Sequence, residues 1–461
     1  MSVGLTGLLV VLVLIALVAG LTGTSVRAKA AAWREAARRL GVGGDAVREA
    51  GLTTPRFVAT IDGFSVTVAA AARRSGDVGE RIEVDGLGRI SNRVELRAED
   101  LGTEAQKAFR GPDVETGDAE FDRSVLVWGH PVLLSALLDA ETRRRVRWFV
   151  ESGGRVRGGA IVRAVDREIS DPGGLVELVR ETLALAGRLV DPADPVTRLV
   201  ANAAADPVAE VRLRNLERLV ERFGGRPETQ AAVREALHDV DARVRVWAAA
   251  RLGDEGRAVL LEHAHAGCPD DEVVVTAVRG LGPALPVEDA LDLLDRARDD
   301  GRVVVEAAAI EALGRLAHPA ARARLVGLLR AGEGRFTAIE AARALAAGGD
   351  PAVETHLLAA LARGDEGLRE VAVEALGRLG TVAAVAPLRA VAADHPFDVA
   401  LRRAVGAAIA AIQERATGAA PGQLALAGGE AGALALSGDA AAGQVALAPR
   451  RPAAGRGGGD A

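Results

Sequence analysis

Aliphatic residues recur at a steady stride through the second half of the chain: Leu219, Leu252, Leu281, Leu313, Leu345, Leu376 and Ile409 stand 33, 29, 32, 32, 31 and 33 residues apart. Such a stride marks tandem units that bury their apolar faces against one another and not each alone. Between these markers the apolar positions follow helical spacing. From Leu237 to Gly253, Leu237 closes one helix and Asp239 and Asp241 suit a turn and N-cap. Val244, Ala248, Ala249 and Leu252 then make one stripe, and Gly253 stops the helix. Alanines on the stripe let neighbouring helices approach closely while Val and Leu fill the gaps between layers. The pattern predicts an all-α solenoid of about seven repeats over residues 192–416.

A different texture precedes it. Phe57, Ala59 and Ile61 alternate with polar residues, Asp62-Gly63 marks a turn, and Phe64, Val66 and Val68 alternate again, which is a hairpin signal. Ile82 with Val84 and Val94 with Leu96 predict further strands. A helix is expected from Glu141 to Glu151, and a last strand near Ala160–Val165, with Gly153-Gly154 and Gly158-Gly159 as breaks. Residues 53–190 therefore read as a small α+β domain.

The first residues form an uncharged apolar run. Val3 to Leu21 is long enough to cross a hydrocarbon core of about 30 Å as one helix, so residues 1–26 are expected to be a transmembrane anchor. Arg27, Lys29, Arg34, Arg38 and Arg39 follow at once, making 27–50 a basic juxtamembrane helix and linker with Trp33 at the interface. Positive charge stays on the cytoplasmic side, which predicts a single-pass membrane protein with the bulk of the chain cytoplasmic. A cleaved signal peptide carries its basic residues before the apolar run, and an N-terminal acyl anchor needs Gly where Ser2 stands. At the other end, residues 417–461 are Gly/Ala-rich and expected to be disordered. Three copies of one phrase lie there, Gly422–Ala427, Gly432–Ser437 and Gly443–Ala448, read either as peptide ligands on a string or as low-complexity drift.

Asp206, Val211, Arg212 and Leu219, and again Asp365, Leu368, Arg369, Ala372, Leu376, Gly377, Leu379 and Gly380, match a turn Asp, a Val-Arg or Leu-Arg pair and a Leu-Gly helix end. This pattern resembles the HEAT-like repeat family. The copies around Val275–Gly282 and Phe336–Leu345 lack the Val-Arg pair, so those layers are expected to be irregular. The stretch Thr116-Gly117-Asp118-Ala119-Glu120-Phe121-Asp122 resembles a domain of uncharacterised bacterial membrane-anchored proteins. The expected fold class is multidomain: an N-terminal transmembrane helix, a small α+β domain, a C-terminal HEAT-like solenoid and a disordered tail. The resemblance implies a protein-protein interaction scaffold, although one fold hosts many roles. Arg212, Arg245 and Arg369 are candidates either for partner contact or for pairing with aspartates of adjacent layers.

Composition narrows the chemistry. A net charge of -6 gives no bulk basic character, and the arginine run Arg143–Arg147 lacks interleaved aromatics, so no nucleic-acid partner is expected. That run is either a solvated helix face or a contact for anionic lipid. Cys268 is the only cysteine, which excludes an internal disulfide. Asp118 and Asp122 read as a carboxylate pair or as turn and cap residues around Phe121. His263, His265 and Cys268, with Asp270 beyond, read as zinc ligands or as an inter-helix turn; residues two apart do not share a helix face. The expectation is no catalytic residue, no cofactor and no metal. Two other classes stay open: a ligand-sensing or envelope-assembly component working through the α+β domain, and an enzyme like those HEAT-like proteins that assist attachment of tetrapyrrole pigments.

Overall fold

The computed structural model describes residues 25–48, 54–72, 78–88, 94–98, 113–166, 168–190, 192–265, 267–331, 335–363, 366–415, 424–426 and 434–436. The chain divides into two compact units, Met1–Ala248 and Ala249–Ala461.

The first unit is built on an antiparallel sheet of eight strands: β1 (Val47–Arg48), β2 (Arg56–Ile61), β3 (Phe64–Ala72), β4 (Val78–Asp85), β5 (Glu95–Ala98), β6 (Val125–Trp128), β7 (Gly154–Arg157) and β8 (Ala160–Val165). Their order is β1-β2-β3-β4-β8-β7-β5-β6. Period-two patterning becomes one apolar row across the sheet, because the register sets Ala59 opposite Val66, Val66 opposite Val84, Val84 opposite Ile161, Ile161 opposite Val156, Val156 opposite Leu96 and Leu96 opposite Val127. The β2–β3 and β7–β8 hairpins turn on Asp62-Gly63 and Gly158-Gly159, all four with positive φ, the backbone hand that matches strand twist.

Helices cover this sheet: α1 (residues 25–39), α2 (Ala119–Ser124), α3 (Pro131–Leu137), α4 (Ala140–Glu151) and α5 (Pro172–Leu189). Here the structure corrects the N-terminal expectation. Ala30, Trp33, Ala36 and Ala37 are wholly buried in the core beside Phe57, Ile82 and Leu96. The Trp33 indole donates to Ile169 O at 2.8 Å, and Lys29 is buried against Glu80 and reaches Glu168 at 3.0 Å. Trp33 is therefore a core residue and not an interfacial anchor, and α1 belongs to the domain. Among the described residues no helix is long and apolar enough to cross a membrane. The run from Val3 to Leu21 lies outside the described residues.

Among the described residues seven helical pairs follow, and the second helix of each carries one periodic residue. The pairs are α6 (Pro195–Ala205) with α7 (Ala209–Phe223), α8 (Pro227–Glu235) with α9 (Ala242–Leu252), α10 (Arg257–His263) with α11 (Asp271–Leu281), α12 (Val287–Asp299) with α13 (Val303–Arg315), α14 (Pro319–Ala331) with α15 (Arg335–Ala347), α16 (Glu354–Leu361) with α17 (Glu366–Leu379), and α18 (Val385–Asp394) with α19 (Val399–Arg415). The unit boundary falls within α9. Leu219, Leu281, Leu313, Leu345 and Leu376 are buried, whereas Leu252 and Ile409 are half-buried. In the second unit α11, α13, α15, α17 and α19 pack in succession.

The layers expected to be irregular are regular helices. The arginine slot seven residues before each periodic aliphatic is taken there by Val274 and Ala338, both buried, so an apolar contact replaces the polar one. In the tail, Leu424–Leu426 and Leu434–Leu436 form β9 and β10, paired antiparallel with Leu434 opposite Leu426 and Leu436 opposite Leu424. These six residues depart from the expected disorder by setting Leu on Leu; the rest of both phrases, and the third copy, lie outside the described residues.

Candidate protein-binding surfaces

In the first unit Asp118, Asp122 and Arg143 are engaged in contacts within the fold. Asp118 caps α2, accepting from the Glu120 and Phe121 amides, and receives the Arg143 guanidinium at 2.8 Å. Burial opposes its charge, but Arg143 and those amides outweigh it and hold the carboxyl below the usual range. Asp122 accepts from the Thr116 and Gly117 amides and the Thr116 hydroxyl, yet burial still raises its carboxyl above the usual range. The two carboxylates take different hydrogen-bond partners, Asp118 the α2 amides and Arg143, Asp122 the Thr116–Gly117 turn. Gly117 has φ +93°, and a Cβ there would press on Glu210 of α7 at 2.8 Å, which explains the glycine of the motif.

Arg143 is the centre of a latch that sequence reasoning missed. Only 2% exposed, it joins Asp118 to the Leu138 carbonyl at 2.9 Å and to both Asp206 oxygens at 2.8 and 3.0 Å. Asn202 of α6 donates to Ser135 O at 2.8 Å beside it. The rest of the arginine run is paired on the surface: Arg144 and Arg145 with Glu141, and Arg147 with Glu120 and Glu151. On α4, Arg144 and Arg145 thus share the single carboxylate of Glu141.

Of the three candidate repeat arginines, Arg212 is buried and bidentate to Asp239 at 2.7 and 2.6 Å, and donates to Asp206 O at 2.8 Å. Arg245 donates to the carbonyls of Asp239 and Val240. Arg369 is buried. A further inter-layer arginine escaped notice because it precedes its helix: Arg302 reaches Asp271 at 2.8 Å and Cys268 O at 2.9 Å. Glu306 fills the arginine slot of α13 and accepts from the Thr337 hydroxyl at 2.7 Å. His263 ends α10, and His265 and Cys268 lie in the turn before α11, where the His265 ring accepts from the Gly267 amide and Asp270 caps α11. Among the described residues no group of three or more His, Cys, Asp or Glu side chains is placed to hold a metal ion.

What remains open is surface. On the second unit a groove of about 510 Å³ runs over α13, α15 and α17. Its walls carry Glu311 with Arg315, Glu340 with Arg343 and Glu374 with Arg378, each pair one turn apart on its own helix, and its floor includes the buried Ala344, Ala346 and Ala375. Arg279 of α11 continues the ladder to Glu311 at 3.1 Å. The starts of second helices present apolar side chains to solvent, Val303 and Val304 on α13, Phe336 on α15 and Val399 on α19, and Phe397 in the turn before α19 is 95% exposed. Val304 and Phe336 both stand nine residues before their periodic leucines.

Residues 257–346 match a family model described as HEAT repeats. The match covers α10 to α15 and agrees with the helical pairing found there. Among curated proteins nothing matches the chain. Among solved structures, human deoxyhypusine hydroxylase in complex with glycerol aligns at 22% identity over 48% of this chain and 96% of that chain, with a TM-score of 0.19.

Proposed function

We propose that the protein is a repeat-based scaffold that docks a segment of another protein along the second-helix face of α13, α15 and α17. The carrying observation is the groove with Glu-Arg walls and an alanine floor. Exposed ion pairs of this kind contribute only about 0–1 kcal/mol each, so folding alone gives little reason to line a groove with three of them. Alternating charges offer hydrogen bonds of both senses to a polypeptide, and small floor residues leave room for its side chains. Exposed Phe336 and Val304 add apolar area of the sort that marks an interaction site. The reading needs no catalytic group and no cofactor. The interior of the sheet domain is filled by Phe57, Ile82, Leu96, Phe121 and Ile161, which speaks against a ligand bound within that core.

The test is proximity labelling from the C-terminus in intact cells, comparing the native chain with Glu340→Arg combined with Glu374→Arg. A set of proteins labelled by the native chain and lost from the variant, with unchanged thermal unfolding, supports docking here. Identical labelling by both chains refutes it.

A further inference from the structure

We propose that the groove between α6 and α8, in the first unit, receives an amphipathic helix of a partner protein that carries basic residues two turns apart. The groove measures about 780 Å³. Val200 and Ala204 of α6 form one wall, Ala231 and Ala232 of α8 the other, and Ala203 and Ala236 close the bottom. At its end stands Val240, 91% exposed. A turn favours Gly, Asn or Asp at such a position, and an isolated valine there gains nothing from folding. Alanine walls leave the space for the partner's bulkier side chains, as in helix-in-groove recognition.

Charge selects the occupant. Glu228 and Glu235 line the α8 side, both exposed, and neither has an ion pair among the described residues. Seven residues apart, they lie on one face about 10.5 Å from each other along the helix. The other charges of the groove are matched within the chain, Arg212 by Asp239 and Asp206 by Arg143. The uncompensated charge is negative and spaced by two turns. A complementary helix places Lys or Arg at i and i+7 flanking an apolar stripe, and an acidic helix or an anionic surface is repelled. The surface uses residues of the first unit alone, so it stands independently of the Glu-Arg groove.

Two labelled synthetic helical peptides test this, sharing one leucine stripe and differing only in Lys or Glu at positions seven apart. Each is titrated into the full chain and followed by fluorescence anisotropy. Each ion pair is worth about threefold in affinity, so the Lys peptide binds the native chain about tenfold more tightly than the Glu peptide. Glu228→Lys combined with Glu235→Lys reverses that order, and Val240→Asp weakens binding of the Lys peptide. Glu288→Lys with Glu370→Lys makes the same change of net charge elsewhere and keeps the Lys-peptide affinity within about twofold of native. Equal affinity of the native chain for both peptides, no binding of either, or an equal loss in the remote variant overturns the proposal. So does self-association of the chain that Val240→Asp abolishes, which makes a second copy the occupant.

Discussion

Replacing Gly314 by alanine isolates the contact between successive second helices. Gly314 lies inside α13, where a Cβ would stand 2.7 Å from Ala344 O, 2.8 Å from Ala344 Cβ and 2.9 Å from Ala344 Cα on α15. Helix propensity alone favours the change by about 1 kcal/mol. The clash involves backbone and a methyl group with no rotamer to yield, so α15 must shift, at a cost of about 1–3 kcal/mol. Gly327 supplies the reference. It sits inside α14, is exposed, and a Cβ there meets nothing within 4 Å. Gly327→Ala keeps the propensity gain without the clash, so the difference between the two variants is the steric cost alone, about 1–3 kcal/mol. For a region of this size each kcal/mol moves the midpoint by about 2–4 °C. Circular dichroism melts should therefore show Gly327→Ala at or above the native midpoint and Gly314→Ala below it. Equal shifts in the same direction refute close approach of α13 and α15.

Arg143→Met should cost about 3–5 kcal/mol in urea unfolding, because Asp206 is left buried and charged, and adding Asp206→Leu should recover most of it. Trp33→Ala should cost about 3–5 kcal/mol and abolish a blue-shifted fluorescence component, whereas a solvent-facing tryptophan predicts neither. The lowered Asp118 carboxyl contributes stability that is present above its unfolded-state value and lost as pH falls through its folded value. The stability gap between the native chain and Asp118→Asn should accordingly narrow on acidification, and a gap constant with pH contradicts the Arg143 pairing. For Asp122, raised by burial, the sign is opposite: its contribution is full at low pH and lost as pH rises through the folded value, which an Asp122→Asn titration reads.

The solenoid was legible because Leu219, Leu281, Leu313, Leu345 and Leu376 are spaced by a whole repeat and buried for the same reason each time. The strands were legible where alternation ran long, as at Phe57–Val68, and less so at Gly154–Arg157, where the four residues Gly-Arg-Val-Arg carry one apolar side chain. The inward placement of Trp33 is masked in sequence, because the five basic residues of α1 interleave with the Ala30, Trp33, Ala37 stripe at helical spacing that turns inward. Arg143 was hidden for a related reason: a run of arginines looks uniform in sequence, and only the fold shows that one faces Asp118 and Asp206 while its neighbours face water. The repeat glycine held a second meaning. Gly253, with φ +56°, follows α9, but Gly377 lies within α17 and lets Ala408 approach to 3.1 Å of where a Cβ would be.

The Arg143 latch bears on how such a protein can change length. With α6 pinned through Asn202 and Asp206 to α3 and α4, the leading apolar flank of the first helical pair is sealed by the sheet domain instead of being left wet. A stacked array needs a terminus that ends its growth, and here that stopper is a separate fold. An excision that removes Asp206 leaves the buried Arg143 guanidinium with Asp118 as its one remaining carboxylate partner among the described residues.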